Sequence, residues 1–153
     1  MSTPPANIAA FLDSSSIAVV GVSRDKHQPA NTIFQRLRET GHTAVPVNPH
    51  MKEFGGGTCY SDLTSIPNRP EAVFIATNPI VSPGIVKECA ELGIAKVWFH
   101  RSIGDGSWSE EAAEECRKHG IEAIEGGCPM MFVGRVDIFH RCLRWFCQRS
   151  GKT

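Results

Sequence analysis

The residues best placed to do chemistry stand behind one apolar run. Ile17-Ala18-Val19-Val20 leads into Gly21, then Val22-Ser23-Arg24-Asp25-Lys26-His27-Gln28, then a helix-start signal at Pro29-Ala30-Asn31. An apolar run closed by turn residues reads as a strand buried on both faces. A glycine at its end permits a tight turn and a close backbone approach to a ligand. The helix beyond presents unpaired N–H groups and the positive end of its dipole. Arg24 and Lys26 add cations and Ser23 a hydroxyl, so the chemistry these types suit is phosphate binding. The competing reading is a bare structural turn carrying two solvated charges. The three-glycine dinucleotide fingerprint is absent, since Ser23 and Lys26 stand where further glycines would be.

Other candidates lie behind other apolar runs. Thr77-Asn78-Pro79 follows one, and Phe99-His100-Arg101 follows another. Of the histidines at 27, 42, 50, 100, 119 and 140, His100 alone stands at a strand end. Asn48-Pro49 occupies the place where a common dehydrogenase carries an acid for the adenosine ribose diol, which counts against NAD. Cys128 follows Gly126-Gly127 and precedes Pro129. It reads either as a thiol facing a crevice near a helix start or as a buried inert one. No spacing suggests a Ser/His/Asp set, a carboxylate pair or a zinc ladder. No catalytic residue or metal ligand is assigned, and the chain reads as a binding module without chemistry of its own.

The elements that must position these residues alternate. A short helix is expected at 8–12, capped by Asn7, then a strand at 17–22 and a helix at 31–40 closed by Gly41. A strand at 43–47 contains Pro46, awkward in a central strand because it lacks a ladder donor. A glycine-rich loop covers 50–60, and a short helix or turn covers 61–66, ended by Pro67. A strand at 71–76 precedes a helix with Ser82 as N-cap and Pro83 at its first position, ending at Gly93. A strand at 95–99, a helix capped by Ser109 and ended by Gly120, and a strand at 121–125 follow. The last helix is expected at 136–149. Five strands alternating with helices imply right-handed crossovers, hence a single-domain doubly wound α/β fold. Its five-stranded parallel sheet carries helices on both faces, and ligands bind beyond the carboxyl ends of the strands.

Bulk properties narrow the class. The chain has 153 residues, 41% of them apolar, enough for one domain with a core. Sixteen basic and 16 acidic residues cancel, which gives no general pull towards nucleic acid or a membrane surface. No apolar run reaches membrane-spanning length, and the first ten residues lack the pattern of a signal peptide. Six cysteines without a C-x-x-C pair read as reduced thiols in a cytoplasmic protein. The first five residues are expected to be loose. Phe139, Trp145 and Phe146 would pack on the sheet or on a second copy, so a homodimer is one of the readings.

Taken in order, these pieces resemble a known family. Ile17-Ala18-Val19-Val20-Gly21-Val22-Ser23, Pro46-Val47-Asn48-Pro49, Cys59-Tyr60-Ser61-Asp62-Leu63 with Ile66-Pro67, Val97-Trp98, Glu110-Glu111-Ala112 and Cys128-Pro129 carry the likeness. Over residues 8–132 the chain is similar to the small stand-alone CoA-binding proteins. These are Rossmann-type domains like the CoA-binding domain of the succinyl-CoA synthetase alpha subunit. The resemblance implies coenzyme A, or an acyl-CoA, bound across the post-strand loops. Gly21, Val22, Ser23 and Arg24 would meet phosphates, and Asn48 and Pro49 would lie near the adenosine end. Thr77, Asn78, Pro79, Phe99, His100 and Arg101 would line the pocket. Lys26 would reach either the 3′-phosphate or the pyrophosphate. The chain departs from the family in the longer loop 104–109, and it lacks the synthetase's further domain with the phosphorylated histidine. Ligase activity is therefore not carried over, and the expected role is that of carrier, sensor or regulatory module. The alternatives are an NAD(P)-dependent enzyme, or a thiol-redox protein in which Cys128 forms a mixed disulfide with CoA.

Overall fold

The structure, a computed structural model, describes residues 3–101 and 106–133. The elements are α1 (Ala6–Leu12), β1 (Ser16–Val20), α2 (Pro29–Glu39), β2 (Thr43–Val47), β3 (Glu53–Phe54), β4 (Gly57–Thr58), β5 (Ala72–Ile75), α3 (Ser82–Leu92), β6 (Lys96–Phe99), α4 (Glu110–Lys118) and β7 (Glu122–Ile124). A 3-10 turn, Pro129–Met131, follows. The expected helix at 136–149 and its aromatics lie outside the described residues.

Five strands form a parallel sheet in the order β2-β1-β5-β6-β7. This is the Rossmann-like α/β fold. The pleat sorts each strand's residues to two faces. Ile17, Val19, Ala72, Phe74, Trp98 and Ile124 pack on one face with α1, α2 and the 3-10 turn. Ala18, Val20, Val73, Ile75, Val97 and Phe99 pack on the other with α3, α4, Leu63 and Ile66. Burial on both sides explains why the central strands read as continuous apolar runs. Trp98 ties the first layer together. Its ring meets Phe11 edge-on at 5.3 Å, and its Nε1 donates to the Gly126 carbonyl at 3.0 Å.

Several local expectations change. β2 is an edge strand, which accommodates Pro46. The Pro46 carbonyl accepts from Tyr60 N on the outer side. A strand residue's N and O point the same way, so the missing donor also faces outward and the β1 ladder loses nothing. The 50–60 loop contains the antiparallel pair β3–β4, turned by Gly55 and Gly56 at φ +62° and +82°. Two consecutive positive φ angles are the signature of a two-residue hairpin turn. Asn7 does not cap α1: the helix begins at Ala6 behind Pro5, and the Asn7 Oδ1 accepts from Ile8 N. Ser82 is not the cap of α3 either. Val81 occupies that position, and the Ser82 hydroxyl donates to the Ser107 carbonyl at 2.6 Å. Ser109 caps α4 as expected, accepting from Ala112 N.

Candidate functional site

Strand order reverses at β1, whose two neighbours are reached through crossovers on opposite faces. The carboxyl ends step out of the sheet together. Gly21 N donates to the Val47 carbonyl, Ala76 N to Val20 and His100 N to Ile75. Gly21 has φ +113°, and a Cβ built there would run into the Ala76 carbonyl. Only glycine lets β1 turn this close to the end of β5.

The loop after Gly21 is held from two sides by carboxamides. Asn31 stands at the third position of α2, where a polar side chain reaches back over the incoming chain. Its Oδ1 accepts from Ser23 N at 2.9 Å, and its Nδ2 donates to the carbonyls of Ser23 and Asp25 at 2.7 and 3.0 Å. From β2, Asn48 Nδ2 donates to the Val22 carbonyl at 2.7 Å, and its Oδ1 accepts from His50 N at 2.7 Å. Asp25 closes the loop by accepting from His27 N.

Among the described residues, one cavity lies on each side of this loop. The first, about 410 Å³, opens beyond the ends of β1, β2 and β5. It is bounded by Gly21, Asn48, Pro49 and Thr77, has Val20, Leu63, Val81 and Ile85 as apolar lining, and carries Asp62 and Glu88. The second, about 550 Å³, runs along α2. Ser23, Arg24, Lys26, Asn31, Arg36 and Phe54 are among its walls. An apolar pocket with a few convergent polar groups at a switch point is the usual form of a small-molecule site.

The two carboxylates of the first cavity are pushed in opposite directions. Hydrogen bonds from Thr64, Ser61 and Ser65 hold the Asp62 carboxyl below its ordinary range. Burial pushes Glu88 up, against the hydrogen bond its Oε2 accepts from Leu63 N at 2.9 Å. Both groups were missed in the sequence, because only the folding of the 61–66 turn against α3 brings them together.

The structure therefore distributes the sequence-predicted residues. Gly21, Asn48, Pro49 and Thr77 meet at the first cavity, and Ser23, Arg24 and Lys26 at the second. Val22 is buried beneath the loop. Asn78 is exposed, its Oδ1 accepting from Ile80 N, and Pro79 is half-buried beside it. Phe99 is fully buried among the core residues under α3 and α4, so its side chain offers a ligand no surface. His100 is half-buried with its ring against Phe74, and the Arg101 guanidinium lies over Trp108 at 5.4 Å. Cys128 is 3% exposed and belongs to the core layer under α1 and α2. Cys59, Cys89 and Cys116 are free and buried, and burial pushes the Cys89 thiol up to about 12 and Cys116 to about 11. Among the described residues no group of His, Cys, Asp and Glu gathers into a metal site, and no helix is long and apolar enough to cross a membrane.

Residues 15–133 match the family model described as CoA binding domain. The chain is 31% identical over 115 residues to an ADP-forming acetate–CoA ligase II of Archaeoglobus fulgidus. That match covers 69% of this chain and only 17% of the ligase, so the chain spans a small part of that relative's length. It is 26% identical to the uncharacterized protein YneT of Bacillus subtilis, covering 75% of this chain and 82% of that one. A solved structure, a hypothetical protein from Pyrococcus horikoshii, superposes with a TM-score of 0.70 at 27% identity, covering 80% of this chain and 89% of that chain.

Proposed function

The chain belongs to the CoA binding domain family, and from that premise we propose that it binds coenzyme A, free or acylated, as a carrier, sensor or regulatory module. One observation carries this reading: a cavity at the strand-order reversal, floored by the Gly21 backbone, adjoins a loop bearing Arg24 and Lys26. An apolar pocket beside fixed cations suits a ligand that joins an uncharged moiety to phosphates. Gly21, Asn48, Pro49 and Thr77 would hold the ligand at the first cavity, and Ser23, Arg24 and Lys26 its charged part. The bound group would supply a thiol or thioester. The chain's own residues bind and orient it.

Two observations oppose the alternatives. Both polar atoms of the Asn48 side chain already hold the loops, where a dehydrogenase needs an acceptor pair for the ribose diol. Cys128 is buried in the core, where exchange with a disulfide has no access. Calorimetric titration with CoA, acetyl-CoA and NAD is the direct test. Saturable one-to-one binding of CoA and acetyl-CoA without binding of NAD is expected. Absence of CoA binding, or NAD binding as tightly, would overturn the reading.

A further inference from the structure

We propose that binding in the cavity beyond β1, β2 and β5 is coupled to a proton on Glu88, whose carboxyl is ionised in the free chain and neutral beneath the ligand. The inference rests on the CoA reading and adds a proton, taken from solvent, that enters with the ligand.

Glu88 stands where the pattern of α3 calls for an apolar residue. Val81, Ile85 and Glu88 follow one another at helical spacing, and all three line the cavity. Val20, Val47 and Leu63 extend the apolar lining around them. One oxygen of the carboxyl is committed. Oε2 accepts from Leu63 N at 2.9 Å and so fastens the 61–66 turn to α3. A protonated carboxyl still accepts through its carbonyl oxygen, so this wall holds in either state. Oε1 has no hydrogen-bond partner among the described residues, and it is the atom that takes the proton.

The surroundings oppose a charge here. Burial pushes the Glu88 carboxyl up, and the charges of Asp62, in the turn, and Glu91, on α3, act in the same direction. Asp62 is itself held in its charged form by hydrogen bonds from Thr64, Ser61 and Ser65. Among the described residues no Lys or Arg lines the cavity, and His50, from the loop after β2, is its one basic side chain. Gly21 and Thr77 bring no charge from the ends of β1 and β5. The charge of Lys87, next along α3, acts on Glu115 of α4. A ligand seated in the cavity strips water from the carboxyl, and this disfavours the charged form further. A ligand that carries phosphates adds repulsion of the same sign. The ligand therefore binds neutral Glu88 more tightly, and by linkage its binding takes up a proton.

The test is calorimetric titration of CoA into the unaltered chain and into Glu88→Gln, from about pH 5 to about pH 8. Gln keeps an acceptor for Leu63 N and stands for the neutral acid. The two chains should bind alike at the acid end. The variant should become about tenfold the tighter binder at the alkaline end, the equivalent of one pKa unit between the free and liganded carboxyl. Ionisation of His50 and of the ligand is common to both chains, so the ratio isolates Glu88. A ratio that does not change with pH would overturn the proposal. So would a variant that binds more weakly throughout, which would make the carboxylate a direct acceptor for the ligand. A second measurement needs no variant. Dephospho-CoA lacks the monoester that ionises near pH 6, so its titration in buffers of different ionisation heat counts the protein's own protons. Net uptake by the unaltered chain at neutral pH is expected, and binding without uptake would overturn the proposal. Absence of CoA binding at every pH would instead overturn the CoA reading itself, and this inference with it.

Discussion

Gly21 is where residue chemistry and architecture meet. Its φ of +113° lies outside the range a side chain tolerates, and the space a Cβ needs is filled by the Ala76 backbone, which cannot swing aside as a flexible side chain would. Gly21→Ala should therefore cost about 3 kcal/mol or more, from strain plus overpacking at the sheet's centre. Urea denaturation should show the midpoint falling at an unchanged slope. A loss below about 0.5 kcal/mol would mean that β1 and β5 are not held this closely. Asn31 and Asn48 work differently. Neither needs to touch a ligand to matter, because each bonds both ways into the backbone of the loops that would.

At the scale of elements, α3 shows how a side chain read locally can act at long range. Ser82 before Pro83 has the pattern of a helix cap, yet its hydroxyl is fully buried and bonds the Ser107 carbonyl across the gap to the loop leading into α4. Ser82→Ala leaves that carbonyl without its donor, so a loss of about 1–2 kcal/mol is expected on denaturation. A mere surface cap would be nearly replaceable by Gly at that position. Here Ser82→Gly should be at least as damaging as Ser82→Ala, and rescue by Gly would contradict the buried bond. The same contrast explains what the sequence could tell. β1, β5 and β6 were legible because burial on both faces makes apolar runs, and α2 and α4 because their apolar faces recur with helical spacing. The β3–β4 hairpin was not, because strands of two residues are too short to carry an alternation. The Pro46 difficulty dissolved once strand order made β2 an edge, and order is a tertiary fact. Gly21, Asn48 and Thr77 were legible as neighbours because the carboxyl-end rule depends only on strand direction. The separation of Arg24 and Lys26 from them depends on the path of the loop around Asn31, which no periodicity encodes.

For the whole molecule, the balance of 16 basic and 16 acidic residues leaves no long-range field to gather an anionic ligand. Affinity must come from the local arrangement of apolar pocket, fixed loop and clustered cations. That arrangement exists only when β1, β2 and β5 are in register and α2 is docked, because the loop that carries the cations is bonded from both α2 and β2. The unfolded chain therefore retains none of the site, and binding should appear in full as stability. At a hundredfold excess over its dissociation constant, a ligand that binds only the native state contributes about 2.7 kcal/mol. For a domain of this size that corresponds to a rise in melting temperature of roughly 8 °C, followed by intrinsic fluorescence or calorimetry. CoA should produce that rise and continue to raise the melting point by an even step for each further tenfold in concentration. NAD at the same concentrations should leave it unmoved. A CoA-dependent rise that stops short of this despite saturation would show that the unfolded chain also binds the ligand. The site would then not depend on the docking of α2 against the sheet.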